Sequence, residues 1–284
     1  MHLPEYVLDC VNALEGSGYA DPFGGREDLQ KGILRAVGNP EQRFREDSLR
    51  ILRGVRFAVR YGLTVEEETE KAMHSCAHLM ENLARERVFE ELCKLLPLMT
   101  ATDLQRFAPI LGAVIPELRP TFGFDQRSPH HAYDLFTHIA HVVEGVSGDL
   151  ALRWAALLHD VGKIPTFTTD ETGRGHFYGH AGTSAEMADA VLRRLKAPTA
   201  LREEVVLLIG RHMTKLEPEK EPLKRCLGRL GWETVEKLLM LQEADMGSKG
   251  IGKPEGIEQF AQLRTLLEEI RAENACLTVD GHDL

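Results

Sequence analysis

The chain lacks the long apolar runs and the cysteine patterns of membrane-spanning or disulfide-bonded secreted proteins. No apolar run approaches the roughly 20 residues that a transmembrane helix needs, and the first residues contain neither a charged nor an apolar signal-peptide region. The five cysteines are scattered, and none forms a C-x-x-C pair. Reduced thiols are typical of cytoplasmic proteins. We therefore expect a cytoplasmic protein with no membrane partner.

Internal repeats, low-complexity tracts and the alternating apolar pattern of a large sheet are also absent from the sequence. Apolar residues make up 43% of the chain and recur mostly at helical spacing. Pro116, Pro120 and Gly123 interrupt this spacing, which predicts a boundary between two helical units. The sequence therefore predicts an all-α fold.

Positive charge is scarce overall but concentrated near the front of the chain. The formal net charge is −10, which argues against general nucleic-acid binding. Residues 26–60, however, contain nine Lys or Arg and five Asp or Glu. In one predicted helix of this segment, Arg53, Arg56 and Arg60 lie opposite apolar residues such as Ile51. The segment is either a local contact for phosphate groups or an ordinary solvated helix face.

The dipeptide His159-Asp160 follows a strongly apolar run, residues 150–158, which predicts a central buried helix. Histidine nitrogens and carboxylate oxygens are ligands that divalent transition metals accept, and such metals activate water and polarise phosphoryl oxygens. The pattern therefore predicts a metal-dependent phosphohydrolase site. Its candidate ligands are His138, His159, Asp160 and Asp245, with His180 and His212 for a second ion. The simpler alternative is that each histidine has a separate structural role.

Two further residues near this pattern have more than one interpretation. His141 follows His138 at helical spacing and could orient a metal ligand by hydrogen bonding. Lys163 could contact a substrate phosphate, or it could be only a positive charge near a helix C-terminus.

A second motif combines a carboxylate and a guanidinium in residues 46–50 (EDSLR). If the segment is helical, Asp47 and Arg50 are neighbours at i, i+3. Such a pair can present acceptors and planar donors to the edge of a nucleobase. On spacing alone, an ordinary ion pair within the helix is the favoured interpretation.

The order of several motifs resembles the bacterial tRNA nucleotidyltransferases, which are the CCA-adding enzymes and their poly(A) polymerase relatives. The resemblance runs over almost the whole chain and includes the HD domain found in many of these proteins. The ordered succession is more specific than any single motif. The motifs that carry the resemblance are residues 21–29, 46–50, 86–92, 133–138, 157–163 and 175–180.

This resemblance implies roles for residues in both helical units. In the first unit, Asp47 and Arg50 would select CTP and ATP, Arg53 would be a further nucleotide contact, and the following helices would support tRNA. In the second unit, His159 and Asp160 would be catalytic in a phosphatase or cyclic phosphodiesterase that uses a divalent transition metal. Nucleotidyl transfer itself would use Mg²⁺.

The resemblance also divides the chain and points to a missing part. The family's catalytic palm precedes the motif at residues 21–25, whereas only twenty residues precede it here, and no Asp-x-Asp pair for Mg²⁺ occurs in the chain. We therefore expect a truncated or split protein that cannot transfer nucleotides alone. The segments are a remnant of an α/β nucleotidyltransferase head (1–28), a neck and body (29–118), the HD domain (119–250) and a C-terminal helix with a truncated tail (251–284).

Three functions are compatible with these observations. The leading hypothesis is a member of this family in tRNA 3′-end processing, whose retained activity is hydrolysis of a phosphoester substrate by the HD domain. The second is an autonomous HD-domain phosphohydrolase acting on small nucleotides. The third is a non-catalytic RNA-binding module that partners a separate palm-containing chain.

Overall fold

Helices account for most of the chain in a computed structural model, which describes residues 12–13, 19–128, 132–146, 148–250 and 254–279. The predicted all-α fold is confirmed. The helices are α1 (Gly25–Lys31), α2 (Pro40–Glu46), α3 (Leu49–Tyr61), α4 (Glu67–Ser75), α5 (Arg85–Leu95), α6 (Ala101–Arg106), α7 (Ala108–Val114), α8 (Leu135–Gly145), α9 (Leu150–Leu158), α10 (His180–Arg194), α11 (Thr199–Arg211), α12 (Lys220–Leu230), α13 (Trp232–Gly247) and α14 (Pro254–Val279). Short 3₁₀ helices cover Ala77–Asn82, Leu96–Leu98, Pro116–Thr121 and Val161–Lys163.

The described strands are two residues long and form three separate pairs. They are β1 (Asn12–Ala13) with β2 (Tyr19–Ala20), antiparallel; β3 (Ile33–Leu34) with β4 (Thr64–Val65), parallel; and β5 (Thr168–Thr169) with β6 (Gly175–His176), antiparallel. None of these pairs extends into a larger sheet within the described residues.

The first of two compact units, Met1–Arg119 with Val191–Ala197, is built around α3. This helix packs against α5, and Ile51 is fully buried, as its place on the apolar face predicts. Of the two interpretations of the basic segment, the solvated helix face does not apply to Arg56. Arg56 is buried, and its Nε donates a hydrogen bond to Glu91 of α5 at 2.7 Å. Burial of this charge is tolerated because it is paired with an opposite charge.

The second unit, Pro120–Ala190 with Pro198–Leu284, has α9 at its centre. The predicted central buried helix is confirmed, since residues 151–158 are all buried. Helices α8, α11 and α13 pack around α9. The side chains of Asp134 and Asp149 accept backbone hydrogen bonds at the first turns of α8 and α9, which fixes where these two helices begin.

The division into segments 1–28, 29–118, 119–250 and 251–284 stays a prediction. Much of the first segment and the end of the last lie outside the described residues. The structural division also assigns Val191–Ala197 to the first unit, where Arg194 makes a bidentate ion pair with Glu117 at 2.6 and 2.7 Å. In the described part of the chain, no helix combines the length and apolar character that a membrane crossing requires.

Candidate functional site

Six histidine and aspartate side chains of the second unit converge in two overlapping groups. These are the six residues that the sequence pattern selected as candidate metal ligands. Within each group, one nitrogen or oxygen atom per residue lies within 4.8 Å of the others. The first group is His138, His159, Asp160 and Asp245, and the second is Asp160, His180 and His212. Asp160 belongs to both.

Ends of helices supply most of these side chains. His159 and His212 occupy the C-terminal cap positions of α9 and α11, and His180 is the first residue of α10. Asp160 follows His159 at the start of a 3₁₀ turn. Only His138 lies well inside a helix, where it is fully buried. The site is therefore assembled from chain segments that are far apart in sequence.

In the first group, two imidazoles face two carboxylates. His138 Nε2 lies 3.0 Å from Asp245 Oδ1 and 3.4 Å from Asp160 Oδ2. His159 Nε2 lies 3.2 Å from the same Asp160 oxygen. In the second group, the other oxygen of Asp160 lies 3.4 Å from His180 Nε2. One carboxylate thus faces both groups, with one oxygen toward each.

Backbone carbonyl groups fix the orientation of all four imidazoles. A carbonyl oxygen can only accept, so each Nδ1 must carry the proton and each neutral ring presents the lone pair of Nε2 to the site. The histidines and their acceptors are His138 with the Ser248 carbonyl (3.2 Å), His159 with Ala156 (2.8 Å), His180 with Phe177 (2.9 Å) and His212 with Ile209 (2.6 Å). This orientation is the one that metal-binding histidines commonly adopt.

Nearby positive charge keeps both carboxylates ionised despite their burial. Burial alone raises the pKa of Asp160, but His159 and Lys163 hold this pKa well below its usual range. Burial likewise opposes ionisation of Asp245, whose pKa is lowered by His138 and neighbouring positive charges. Burial disfavours the imidazolium of His138, but the two carboxylates raise its pKa to about 9. The site therefore has two anionic side chains that can accept a cation.

Burial keeps the histidines of the second group neutral. It lowers the pKa of His180. Burial, together with the electrostatic influence of the nearby His159, lowers the pKa of His212 to about 4. The Nε2 atoms of His180 and His212 lie only 3.3 Å apart. Since both Nδ1 atoms donate to carbonyls, two lone pairs face each other unless a proton or a cation lies between them.

The buried Nε2 atom of His159 tests whether these residues fit a metal ion. Among the described residues, this atom has no hydrogen-bond partner in acceptable geometry. A buried polar atom without such a partner is costly in free energy. A cation bound to Nε2 would remove this penalty, so the donor set fits a divalent ion of the type that imidazole and carboxylate prefer.

Two residues that the sequence analysis did not select bring α10 close to the His159-Asp160 turn. The Gly162 amide donates to Ser184 Oγ at 2.9 Å, and Ser184 is fully buried. A Cβ atom at residue 162 would lie 2.5 Å from the Ser184 nitrogen and 2.6 Å from the His180 oxygen. This close approach places His180 beside Asp160. The glycine in the H-D-V-G-K sequence is the only local signal of it.

His141 and Lys163, which the sequence left with more than one interpretation, have different surroundings. His141 contacts Glu144 at 3.8 Å and the ring of Tyr133, and no contact with the metal-ligand groups is found among the described residues. Lys163 is buried, and its Nζ lies 2.7 Å from Asp160 Oδ2 and 2.9 Å from Gln126 Oε1. In this structure Lys163 therefore acts as a counter-charge to the shared carboxylate.

The first unit contains a cavity of about 370 Å³. Arg50 and Arg53 line it, together with Arg35, Arg43 and apolar residues that include Phe44. Its volume falls in the range of small-molecule sites, about 300–1,000 Å³. The structure therefore brings two of the three residues predicted to contact a nucleotide to one cavity.

Asp47, the third of these residues, does not pair with Arg50. It adopts an extended conformation between α2 and α3, so the helical i, i+3 spacing does not apply. Its Oδ2 lies 3.3 Å from Arg87 Nη2, whereas Arg50 pairs with Glu46 at 3.2 Å. Asp47 is not among the described residues that line the cavity. Arg87, to which the sequence alone gave no chemical role, is its partner.

Two different parts of the chain match known protein families. Residues 135–245 match the HD domain family, and residues 62–102 match the family described as probable RNA and SrmB-binding site of polymerase A. The multifunctional CCA protein of Laribacter hongkongensis is 31% identical over 286 residues, which cover 93% of this chain and 69% of that protein. The chain belongs to the CCA-adding tRNA nucleotidyltransferase family. The resemblance seen in the sequence is thereby confirmed.

Two further members of the tRNA nucleotidyltransferase family are named for different additions, one for A and one for CCA. The A-adding enzyme of Deinococcus radiodurans is 35% identical over 256 residues, 85% of this chain and 58% of that protein. The crystal structure of the Bacillus stearothermophilus CCA-adding enzyme with CTP matches with a TM-score of 0.56 at 25% identity, covering 88% of this chain and 54% of that one. The chain thus spans about half to two thirds of the length of these relatives.

Replacement of Gly162 by alanine tests the packing that holds the metal-ligand groups together. We expect Gly162→Ala to lower the free energy of unfolding by about 1–3 kcal/mol, because the new methyl group overlaps backbone atoms of α10. The measurement is urea denaturation followed by circular dichroism.

Gly210→Ala in α11 is the matched control. Among the described residues, a Cβ there would meet only the Ala185 Cβ at 3.7 Å, and alanine is the better helix former. We expect this variant to be as stable as the wild type or more stable. Equal stability of Gly162→Ala and Gly210→Ala would contradict the close approach at residue 162.

Proposed function

We propose that the second unit of this CCA-adding family member is a metal-dependent phosphohydrolase with two adjacent ion sites. Asp160 would ligate both ions through its two oxygens. The ligands of the first ion would be His138, His159, Asp160 and Asp245, and those of the second would be Asp160, His180 and His212.

The orientation of the four imidazoles supports this proposal most strongly. Separate structural histidines would have no reason to turn the same nitrogen toward one point. Here every Nδ1 is occupied by a backbone carbonyl, and every Nε2 lies near a carboxylate oxygen or another Nε2. The match of residues 135–245 to the HD domain agrees with this arrangement.

The side chains of the site would have distinct tasks in hydrolysis. A divalent ion held there would supply a Lewis acid for a phosphoryl oxygen and a nucleophile that is active at neutral pH. Asp160 would be a ligand of both ions, and His159, which precedes it in sequence, would be a ligand of the first. Lys163 would keep the shared carboxylate ionised, since its Nζ lies 2.7 Å from Asp160 Oδ2.

Metal content provides the direct test. Purified protein loaded with Mn²⁺, Co²⁺, Ni²⁺ or Zn²⁺ and then desalted is expected to retain up to two ions per chain by mass spectrometry. Asp160→Asn should remove both, because it weakens both groups, whereas His212→Ala should remove one. Metal-dependent release of phosphate from glycerol 2-phosphate should fall at least about 100-fold in either variant.

His141→Ala is the control for loss of a histidine in the same unit. Its imidazole is on α8 with His138 but contacts Glu144, so metal content and hydrolysis should match the wild type. Circular dichroism establishes that each variant is folded. Retention of two ions by folded Asp160→Asn would rule out the shared-ligand arrangement.

We infer that the first unit binds a nucleoside triphosphate in its arginine-lined cavity. Guanidinium groups are well suited to phosphate oxygens, and Arg50 and Arg53 both line the cavity. CTP and ATP are the ligands that family membership suggests. Because no Asp-x-Asp pair occurs in the sequence, we propose binding rather than transfer by these 284 residues alone.

Calorimetric titration with CTP tests this inference. Arg53→Ala should weaken binding about tenfold or more, because a charge-assisted contact to phosphate is lost. The control is Arg45→Ala, whose exposed side chain pairs with Glu41. The wild-type chain with CTP, ATP and Mg²⁺ should add no nucleotide to tRNA that lacks its 3′ end. Nucleotide incorporation would contradict the proposed lack of transfer.

We also propose that tRNA contacts the basic segment, residues 26–60, of the first unit. Its net charge is +4 in a chain of −10, and Arg60 at the end of α3 is exposed. Family membership and the match at residues 62–102 support RNA as the partner.

Binding of tRNA at several salt concentrations distinguishes this contact from a solvated helix face. Arg60→Ala should weaken binding and reduce the slope of log affinity against log salt by about one. Arg271→Ala, an exposed arginine of α14, is the control and should change neither quantity. An unchanged slope in Arg60→Ala would show that this residue makes no phosphate contact.

A further inference from the structure

An exposed tyrosine ring lies next to the metal-ligand groups in sequence. Tyr178 is 79% exposed, more than any other large apolar side chain in the described part of the chain. Its ring lies nearly parallel to that of His176, with 5.4 Å between centroids and 5° between planes. Its hydroxyl lies 3.4 Å from His176 Nδ1. The exposed ring is therefore held on one side and faces solvent on the other.

The histidine beneath this ring is fixed by a hydrogen-bonded loop. Asp170 Oδ2 lies 2.8 Å from His176 Nε2, which leaves Nδ1 to accept the tyrosine proton. The other oxygen of Asp170 accepts from the Thr172 amide, the Thr172 hydroxyl and the Arg174 amide. These bonds close the connection between β5 and β6. The support of the Tyr178 ring is thus built into the strand pair.

Phe177, the residue before Tyr178, connects this strand pair to the metal-ligand groups. Phe177 packs against Phe167, with 5.5 Å between ring centroids, and lies under the Lys163 ammonium at 5.3 Å. The Phe177 carbonyl accepts from His180 Nδ1 at 2.9 Å. Since Tyr178 is two residues before His180, their Cα atoms are at most about 7 Å apart.

We propose that Tyr178 is a stacking platform for the nucleobase of the phosphoester that the second unit hydrolyses. The phosphate would lie at the metal-ligand groups and the base on the outer face of the tyrosine. Because the Cα atoms of Tyr178 and His180 are at most about 7 Å apart, one nucleotide is long enough to reach both residues. This inference rests on the proposed phosphohydrolase function.

Stacking with a nucleobase would explain why the Tyr178 ring is exposed, since packing within the protein does not cover it. Nucleobases stack on aromatic side chains largely irrespective of base identity. Among the described residues, the ring of Tyr178 contacts no aromatic side chain other than His176. A platform held by Asp170 and His176 would present the ring without the loss of side-chain freedom that a mobile tyrosine would incur on binding.

Steady-state kinetics with two substrates provides the test. For adenosine 3′-monophosphate, Tyr178→Ala should raise KM about tenfold or more and leave kcat within about twofold. For glycerol 2-phosphate, which has no base, neither constant should change. Tyr178→Trp should restore the wild-type KM for the nucleotide. A purely structural role would change both substrates alike and would not be rescued by tryptophan.

Tyr61→Ala removes an exposed tyrosine from the other unit and should leave both substrates unaffected. A KM for adenosine 3′-monophosphate that stays unchanged in Tyr178→Ala, while glycerol 2-phosphate is still hydrolysed, would overturn the platform. Equal increases in KM for both substrates would also overturn it.

A binding measurement separates this inference from the proposed hydrolysis. The tryptophan fluorescence of Tyr178→Trp, measured in chelator against the wild type, should be quenched by adenosine 3′-monophosphate and not by glycerol 2-phosphate. If the wild type hydrolyses neither substrate, the proposed function fails, and quenching by the nucleotide alone would still support the platform. Absence of selective quenching would contradict it.

Discussion

The candidate metal centre depends on hydrogen bonds between imidazole Nδ1 atoms and backbone carbonyls. Helices end with carbonyl groups that have no partner within the helix. His159 and His212 cap α9 and α11, and each bonds a carbonyl three residues earlier in its own helix. This bond gives a carbonyl near the helix end a side-chain donor and fixes the ring, so that Nε2 faces the site. The same local geometry recurs at two helix ends, which makes the arrangement a property of these helix C-termini.

The balance of charge explains how such a polar cluster can be buried. Two ionised carboxylates would be costly inside a protein without positive partners. Lys163 lies 2.7 Å from Asp160, and Lys249 lies 3.3 Å from Asp245, so each carboxylate has its own ammonium. The free energy required for burial is thereby offset before any cation binds. Lys163, the lysine in the H-D-V-G-K sequence, consequently helps to make burial of Asp160 possible.

The sequence predicted the second unit better than the first, for reasons visible in particular residues. The apolar run before His159 defines where α9 ends, and a histidine at that end is placed by local geometry. The ion pair expected between Asp47 and Arg50 does not form, because the i, i+3 rule assumes a continuous helix, whereas α2 ends at Glu46 and α3 begins at Leu49. The partner of Asp47 is 40 residues away. Contacts of this kind arise only when helices pack, so periodicity does not reveal them.

The side chains of His159 and Asp160 can face the same point because helix α9 ends just before them. In a continuous helix, neighbouring residues point about 100° apart. Here α9 ends at Leu158, and Asp160 adopts φ −114° and ψ 4°, outside the helical region. The chain then turns through Val161–Lys163, which directs the carboxylate back toward the imidazole of His159 at 3.2 Å. A histidine–aspartate pair in the middle of a helix would lack this turn. The dipeptide therefore indicates a metal site when it follows an apolar helix and precedes a glycine that permits close approach.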